Sequence, residues 1–341
     1  MSTYKIWFNR WFSVAYHYID MIRTNEDGIQ FEVYGTHPDP DHVMLANCDY
    51  AEIEPKLETD DEYVQYCLNF CEKHSIDLFV PRYKALPIAK ALKKFEEIGT
   101  KVLVNRDANL LETIENKDEF YDTCKEKGIF EIPSFYTARS AEEFKETYEK
   151  LMNEGLQVCY KPVVGEGGYG FRIIDNELDP LKEVMAPSYR IPFDRVYAGL
   201  EAAGEFPELM VMEFLEGEEY SIDCLAFDGE LLAAVPRKKG GGRIRILEDN
   251  QELIRLAEQF TKEFKLDYIF NIQVKFNQGL PKLLEINPRM SGGLYFSCLS
   301  GVNFPYLAVK LLLGAKVERQ DVKLDIKATF LEKDIILSNG E

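Results

Sequence analysis

Two sets of residues have the types and spacing to do chemistry. Lys161 stands four positions before a run of glycines at 165, 167, 168 and 170, in the stretch QVCYKPVVGEGGYGFRIID. Backbone without Cβ atoms lets amide N–H groups come close to an anion, so a cation beside such a loop suits phosphate oxygens. The second set closes the stretch LLEINPRMSGG. On a strand, Glu285 and Asn287 share one face while Leu284 and Ile286 share the other. Two oxygen side chains roughly 7 Å apart along a strand can converge on one hard cation. Gln273, in FNIQVKF, shares a face with Asn271 and Lys275 and offers a third oxygen. Magnesium keeps water and phosphate oxygens in its shell, so two or three protein ligands suffice. Taken singly, the glycine run reads equally as an ordinary hairpin tip, and Glu285 as part of a solvated sheet face.

Several familiar phosphate sites are excluded. Gly165, Gly167 and Gly170 match G-x-G-x-x-G, but Phe171-Arg172-Ile173-Ile174 opens a strand, where a dinucleotide site needs a helix. A kinase glycine loop also lies between strands, but its lysine is downstream and its HRD and DFG motifs are absent here. No G-x-x-x-x-G-K-[ST] occurs.

The elements that must position these groups follow from periodicity. Tyr4–Phe8, Ile29–Tyr34, Ile76–Pro81 and Lys101–Val104 read as strands, and Asp60–His74 and Leu86–Ile98 as helices. Alternation of this kind predicts a parallel sheet covered on both faces. Asp107–Lys127 reads as one helix containing Lys117, and Ser140 opens another with a capping box. Leu178–Phe206 reads as charged and loop-prone. Strands follow at Leu209–Phe214, Glu219–Phe227 and Leu231–Val235, then a basic loop, Arg237–Arg245. A helix at Asn250–Phe264 and a hairpin of Tyr268–Phe276 with Lys282–Ile286 complete the region.

The 341 residues are enough for two or three domains. No apolar run of about 18 residues predicts a membrane span. The seven cysteines form no CxxC pair, which suits reduced thiols and a cytoplasmic location; Cys67 and Cys71 read as helix core. The net charge of −19, from 40 basic and 59 acidic residues, argues against a nucleic-acid backbone as partner. It does not exclude a nucleotide. Distant surface charge is screened beyond roughly 8 Å, whereas a lysine about 4 Å from a phosphate gains on the order of 4 kcal/mol of direct attraction.

With four blocks in order, the sequence resembles the ATP-grasp superfamily, in its carbamoyl-phosphate-synthase-like and carboxylate–amine ligase branches. The blocks are NKDEFYDTCKEKGIFEIPSF, YKPVVGEGGYGFRII, VMEFLEGEEYSIDCLAF, and FNIQVKF with LLEINPRMSGG. The resemblance implies an α/β (α+β) chain: an N-terminal parallel α/β pre-ATP-grasp domain at 1–110, an opening helix and lid at 111–212, and a metal-bearing lobe at 213–341. It implies that Lys117, Lys161, Gly165, Gly167 and Gly168 meet nucleotide phosphates. The backbones of Glu213 and Leu215 would meet adenine, with Phe214 packed nearby and Glu219 on the ribose. Gln273, Glu285 and Asn287 would bind Mg²⁺, or Mn²⁺ in its place, and Arg289 would face the reacting acyl phosphate. Met212 and Gln273 stand where relatives often carry acidic residues. Arg243 and Arg245 are candidates for a substrate carboxylate, because arginine forks pair with carboxylates. The implied activity is ATP-dependent joining of a small-molecule carboxylate to an amine, with ADP and phosphate released. Bicarbonate or carbamate phosphorylation, and a non-catalytic ATP-binding protein, are the rival readings. A homodimer is a further expectation, and no membrane is expected as partner.

Overall fold

The computed structural model describes residues 3–164, 169–179, 181, 185 and 188–337. Gly165, Gly167 and Gly168 therefore lie outside the described residues. The chain forms two compact units. One holds Met1–Glu112, Tyr220–Gln273 and Ile286–Glu341; the other holds Thr113–Glu219 and Val274–Glu285.

In the first unit, strands β1 (Thr3–Asn9), β2 (Gln30–His37), β3 (Tyr50–Ile53), β4 (Leu78–Pro81) and β5 (Lys101–Val102) make a sheet ordered β3-β2-β1-β4-β5. All its pairings are parallel. Trp7, Phe70, Phe79 and Phe95 fill one face of this sheet, with Cys67 and Cys71 buried among them. Helix Asp60–His74 starts on a full capping box between Thr59 and Glu62 and ends on a left-handed Ser75. The helix expected at Leu86–Ile98 is instead two, Ala85–Lys90 and Leu92–Glu97. A tight turn at Ala91 lets Ile88 and Phe95 reach the same core.

In the second unit, β6 (Phe135–Ala138), β7 (Val158–Pro162), β8 (Arg172–Ile174), β9 (Arg190–Ile191) and β10 (Leu209–Glu213) are ordered β6-β10-β7-β8-β9. The expected helix Asp107–Lys127 is broken into Ala108–Glu115 and Lys117–Lys127, because Asn116 is extended. Lys117 is thus the first residue of its helix. Phe193–Ala203, inside the stretch read as loop, is a helix. Its Phe193, Val196 and Leu200 recur at helical spacing and pack on Tyr148 and Leu151.

A third sheet is ordered β15-β14-β11-β12-β13-β16, built from β11 (Glu219–Phe227), β12 (Glu230–Lys239), β13 (Arg245–Leu247), β14 (Tyr268–Asn277), β15 (Leu280–Asn287) and β16 (Ile326–Ala328). The basic segment Arg237–Arg245 is not one long loop. Strands β12 and β13 pair through Lys239 and Arg245, leaving a short turn between. The cause is burial: Arg237 is only 4% exposed and has a buried carboxylate partner, so it continues the strand.

Candidate phosphate, hinge and metal site

The second unit gathers Lys117, Lys161 and Glu285. Lys161 lies near the end of β7, in register with Met210 of β10. Its ammonium is 5.8 Å from the centre of the Tyr121 ring. The Tyr121 hydroxyl donates to the carbonyls of Leu283 (3.1 Å) and Leu284 (2.6 Å), the two residues before Glu285. Tyr121 therefore ties helix Lys117–Lys127 to the carboxylate strand. Burial, chiefly, pushes the Lys161 ammonium down to about 8; Glu285 opposes that shift and Lys117 adds to it. Lys117 sits on the first turn of its helix, where peptide dipoles already favour anions. Its ammonium donates to the Val163 carbonyl at 3.2 Å, beside the start of the glycine run. Two cations and one carboxylate held this way form a donor set that fits a metal-bridged phosphate chain.

The connection from β10 to β11 is organised by a buried carboxylate. Glu213 is 3% exposed. It accepts from Lys282 Nζ at 2.9 and 2.7 Å, Asn277 Nδ2 at 2.5 Å and the Ser134 amide at 3.2 Å. The expectation gave Glu213 a backbone role; its side chain has this separate one. The Phe214 amide donates to the Gln157 carbonyl. Among the described residues no hydrogen bond engages the Leu215 amide. The Glu213 carbonyl accepts a 3.7 Å contact from the Cys159 thiol. An acceptor and a donor two residues apart are the pairing that an adenine edge requires. Phe214 lies under the Lys275 ammonium (4.7 Å) and beside Phe171 (6.5 Å between rings). Glu219 opens β11 and is half-buried.

Gly217 crosses close to the β14 end. Its amide bonds the Phe276 carbonyl, and a Cβ there would stand 2.3 Å from that oxygen. Gly217→Ala is expected to cost roughly 1–3 kcal/mol by overpacking, measured by urea unfolding. A loss below half a kcal/mol would contradict so close an approach.

The remaining expected residues fall in the first unit. Gln273 and Asn287 are half-buried on β14 and β15, and the Arg289 amide bonds the Asn287 carbonyl at 2.8 Å. Glu285 belongs to the second unit, two residues before Asn287 on the same strand. Among the described residues no three His, Cys, Asp or Glu side chains gather as a metal group. Arg243 pairs with Glu332 and lies over Phe330, and Arg245 donates to the Gly242 and Ile244 carbonyls. Both arginines are solvent-accessible, so these contacts are weak and exchangeable.

Sequence reasoning missed Tyr121, Asn277, Lys282, Asp223 and the burial of Arg237. Lys282 carried a signal: it lies on a strand three residues before Glu285, but its partner is distant in sequence.

The family described as "ATP-grasp in the biosynthetic pathway with Ter operon" matches residues 205–333. The arginine-specific carbamoyl phosphate synthase large chain of Geobacillus stearothermophilus is 26% identical over 294 residues, 84% of this chain and 27% of that one. Human carnosine synthase 1 is 28% identical over 178 residues, 45% of this chain and 20% of that one. The chain thus spans about a quarter of the length of these curated relatives. The biotin carboxylase domain of Hydrogenobacter thermophilus 2-oxoglutarate carboxylase, solved with MgADP and bicarbonate, superposes with a TM-score of 0.67 at 17% identity. It covers 95% of this chain and 73% of that one. An L-amino acid ligase from Bacillus licheniformis gives 0.63 at 12% identity, covering 91% and 74%. No helix among the described residues is long and apolar enough to cross a membrane.

Proposed function

Because this chain belongs to the ATP-grasp superfamily, we propose that it is an ATP-dependent, ADP-forming carboxylate–amine ligase. The observation that carries the reading is the corner of the second unit where Tyr121, on the helix that Lys117 opens, bonds the strand just before Glu285 and has the Lys161 ammonium 5.8 Å from its ring. A substrate carboxylate oxygen attacks the γ-phosphorus; the new O–P bond replaces the bond to the β-phosphate oxygen, and ADP leaves. An amine nitrogen then attacks the acyl carbon, loses a proton, and displaces phosphate. Lys117 and Lys161 hold the phosphates and align two anions that otherwise repel, which is where such sites gain rate. The Glu213 carbonyl and Leu215 amide hold adenine, with Phe214 against it and Glu219 on the ribose. Gly165, Gly167 and Gly168 cover the phosphates. Arg289 faces the transferred phosphoryl group, and Arg243 and Arg245 hold the substrate carboxylate. Glu285, Asn287 and Gln273 would hold magnesium, which would neutralise phosphate charge. A cytoplasmic homodimer, manganese as substitute metal, and the division 1–110, 111–212 and 213–341 belong to the same proposal.

The test is phosphate release from ATP and magnesium with pairs of carboxylates and amines, with Glu285→Ala as control. Release that needs both partners supports the reading. Release with bicarbonate alone favours the second reading, phosphorylation of bicarbonate or carbamate, to which the 26% identity with a carbamoyl phosphate synthase large chain across 84% of this chain lends weight. No release with any pair or with bicarbonate contradicts both.

A pH signature follows. Burial holds Lys161 near 8 in the free protein, so it is cationic at pH 7 and mostly neutral at pH 9. A bound phosphate favours the cation, so nucleotide binding takes up a proton above pH 8 and weakens as pH rises. The Kd for MgADP is expected to rise about tenfold from pH 7 to pH 9, with matching proton uptake in calorimetry. Lys161→Met should flatten the profile; a flat profile in the native protein contradicts the contact.

A further inference from the structure

One buried side chain in the first unit gathers more hydrogen bonds than any role assigned so far requires. Asp223, on β11, is fully buried. Its Oδ1 accepts from Ser291 Oγ at 2.7 Å and Asn271 Nδ2 at 2.8 Å. Its Oδ2 accepts from Ser297 Oγ at 2.6 Å and from Arg237 Nε and Nη2 at 3.1 and 3.0 Å. Arg237 is a diagonal neighbour on β12, two residues beyond Val235, which faces Asp223. The guanidinium also reaches Ser291 Oγ at 3.3 Å and Ser297 Oγ at 3.4 Å. Gly293 lies flat against it: a Cβ there would stand 2.5 Å from Nη1 and 2.6 Å from Cζ. The Tyr18 hydroxyl adds a bond to the Ser291 carbonyl.

Every group this pair holds, Asn271 apart, lies on the short segment that follows Asn287 and Arg289. That segment has little regular structure of its own, only the short helix Leu294–Ser297. A loop fixed by its own backbone would not need two serine hydroxyls, a glycine and an ion pair beneath it. A buried ion pair is weak evidence for stability in itself and is better understood as fixing one arrangement.

We infer that the Asp223–Arg237 pair is a positioning device: it clamps the Ser291–Ser297 turn and thereby fixes the direction of Arg289. This rests on the ligase reading for its consequence, though not for its geometry. Neither residue touches substrate; each acts through the turn. Gly293 is required because the guanidinium occupies the space of its side chain.

The test pairs two readouts on Asp223→Asn, which keeps shape and removes one acceptor and the charge. Hydrogen exchange by mass spectrometry on the peptide covering 289–297 should speed up at least tenfold, with exchange in the second unit unchanged. Turnover in the phosphate-release assay should fall at least tenfold, with KM for ATP within twofold of the native value. Ser297→Ala, which removes one donor and no charge, should show the same pattern at smaller amplitude and serves if Asp223→Asn does not fold. Unchanged exchange in both variants overturns the clamp. Faster exchange with full turnover overturns the link to Arg289. If the native protein releases no phosphate with any substrate, the ligase reading fails and the exchange result still decides the clamp.

Discussion

Glu285→Ala is expected to lower magnesium-dependent ADP formation by on the order of 10²–10³-fold, the usual loss when one preorganised electrostatic group is removed. Glu285 is the carboxylate that sustains the charge on Lys161, opposing the burial that pulls its ammonium down to about 8. It also acts on the Tyr121 hydroxyl, whose ionisation burial and Glu285 both oppose. Removing it therefore does two things. The proposed metal loses its only carboxylate, and Lys161 loses its proton at a lower pH. The onset of weaker MgADP binding should move below pH 8 in the variant. Glu285→Gln should share that pH shift while retaining an oxygen ligand. Activity within tenfold of native in Glu285→Ala would remove Glu285 from the site.

Glu213→Ala is expected to have the largest effect on stability. The carboxylate accepts three hydrogen bonds from two side chains, Lys282 and Asn277, and one from backbone, all within the second unit. Truncation leaves Lys282 and Asn277 facing a cavity without an acceptor. Removing one partner of a buried pair typically costs about 3–5 kcal/mol. Lys282 keeps 19% of its side-chain surface and can regain some water, so roughly 2–4 kcal/mol is the expected loss. Urea unfolding measures it. A double change, Glu213→Ala with Lys282→Met, should recover part of the loss by removing the stranded ammonium; no recovery would mean that the pair is not coupled.

What the sequence revealed, and what it hid, divides along a physical line. Periodic elements with local signals were legible. Helix Asp60–His74 carries its cap and acidic first turn within its own residues, and the observed limits match the expected ones. Strand Glu219–Phe227 and the hairpin around Gln278–Gly279 were equally plain, because alternation and turn glycines are short-range signals. Breaks were not. Asn116 and Ala91 interrupt helices whose flanking residues remain helix formers. The deeper misses were contacts between distant positions. Arg237 looked like part of a basic surface loop, since its composition is Lys, Arg and Gly. Only the fold shows that Asp223, 14 residues earlier, makes burial of that charge possible. The same holds for Glu213 and Lys282, 69 residues apart. The place of Lys161 beside glycines is a local signal; the burial that tunes it depends on residues distant in sequence.

The central claim is that one magnesium–nucleotide complex is held by Lys161 and Glu285 together. The most direct measurement is a crystal structure of the native protein with magnesium and a non-hydrolysable ATP analogue. The account predicts the Lys161 ammonium within hydrogen-bond distance of a phosphate oxygen, a magnesium ion on Glu285, and adenine against the Glu213 carbonyl and Leu215 amide. A nucleotide bound elsewhere, or phosphates with neither Lys161 nor Glu285 in reach, would contradict it.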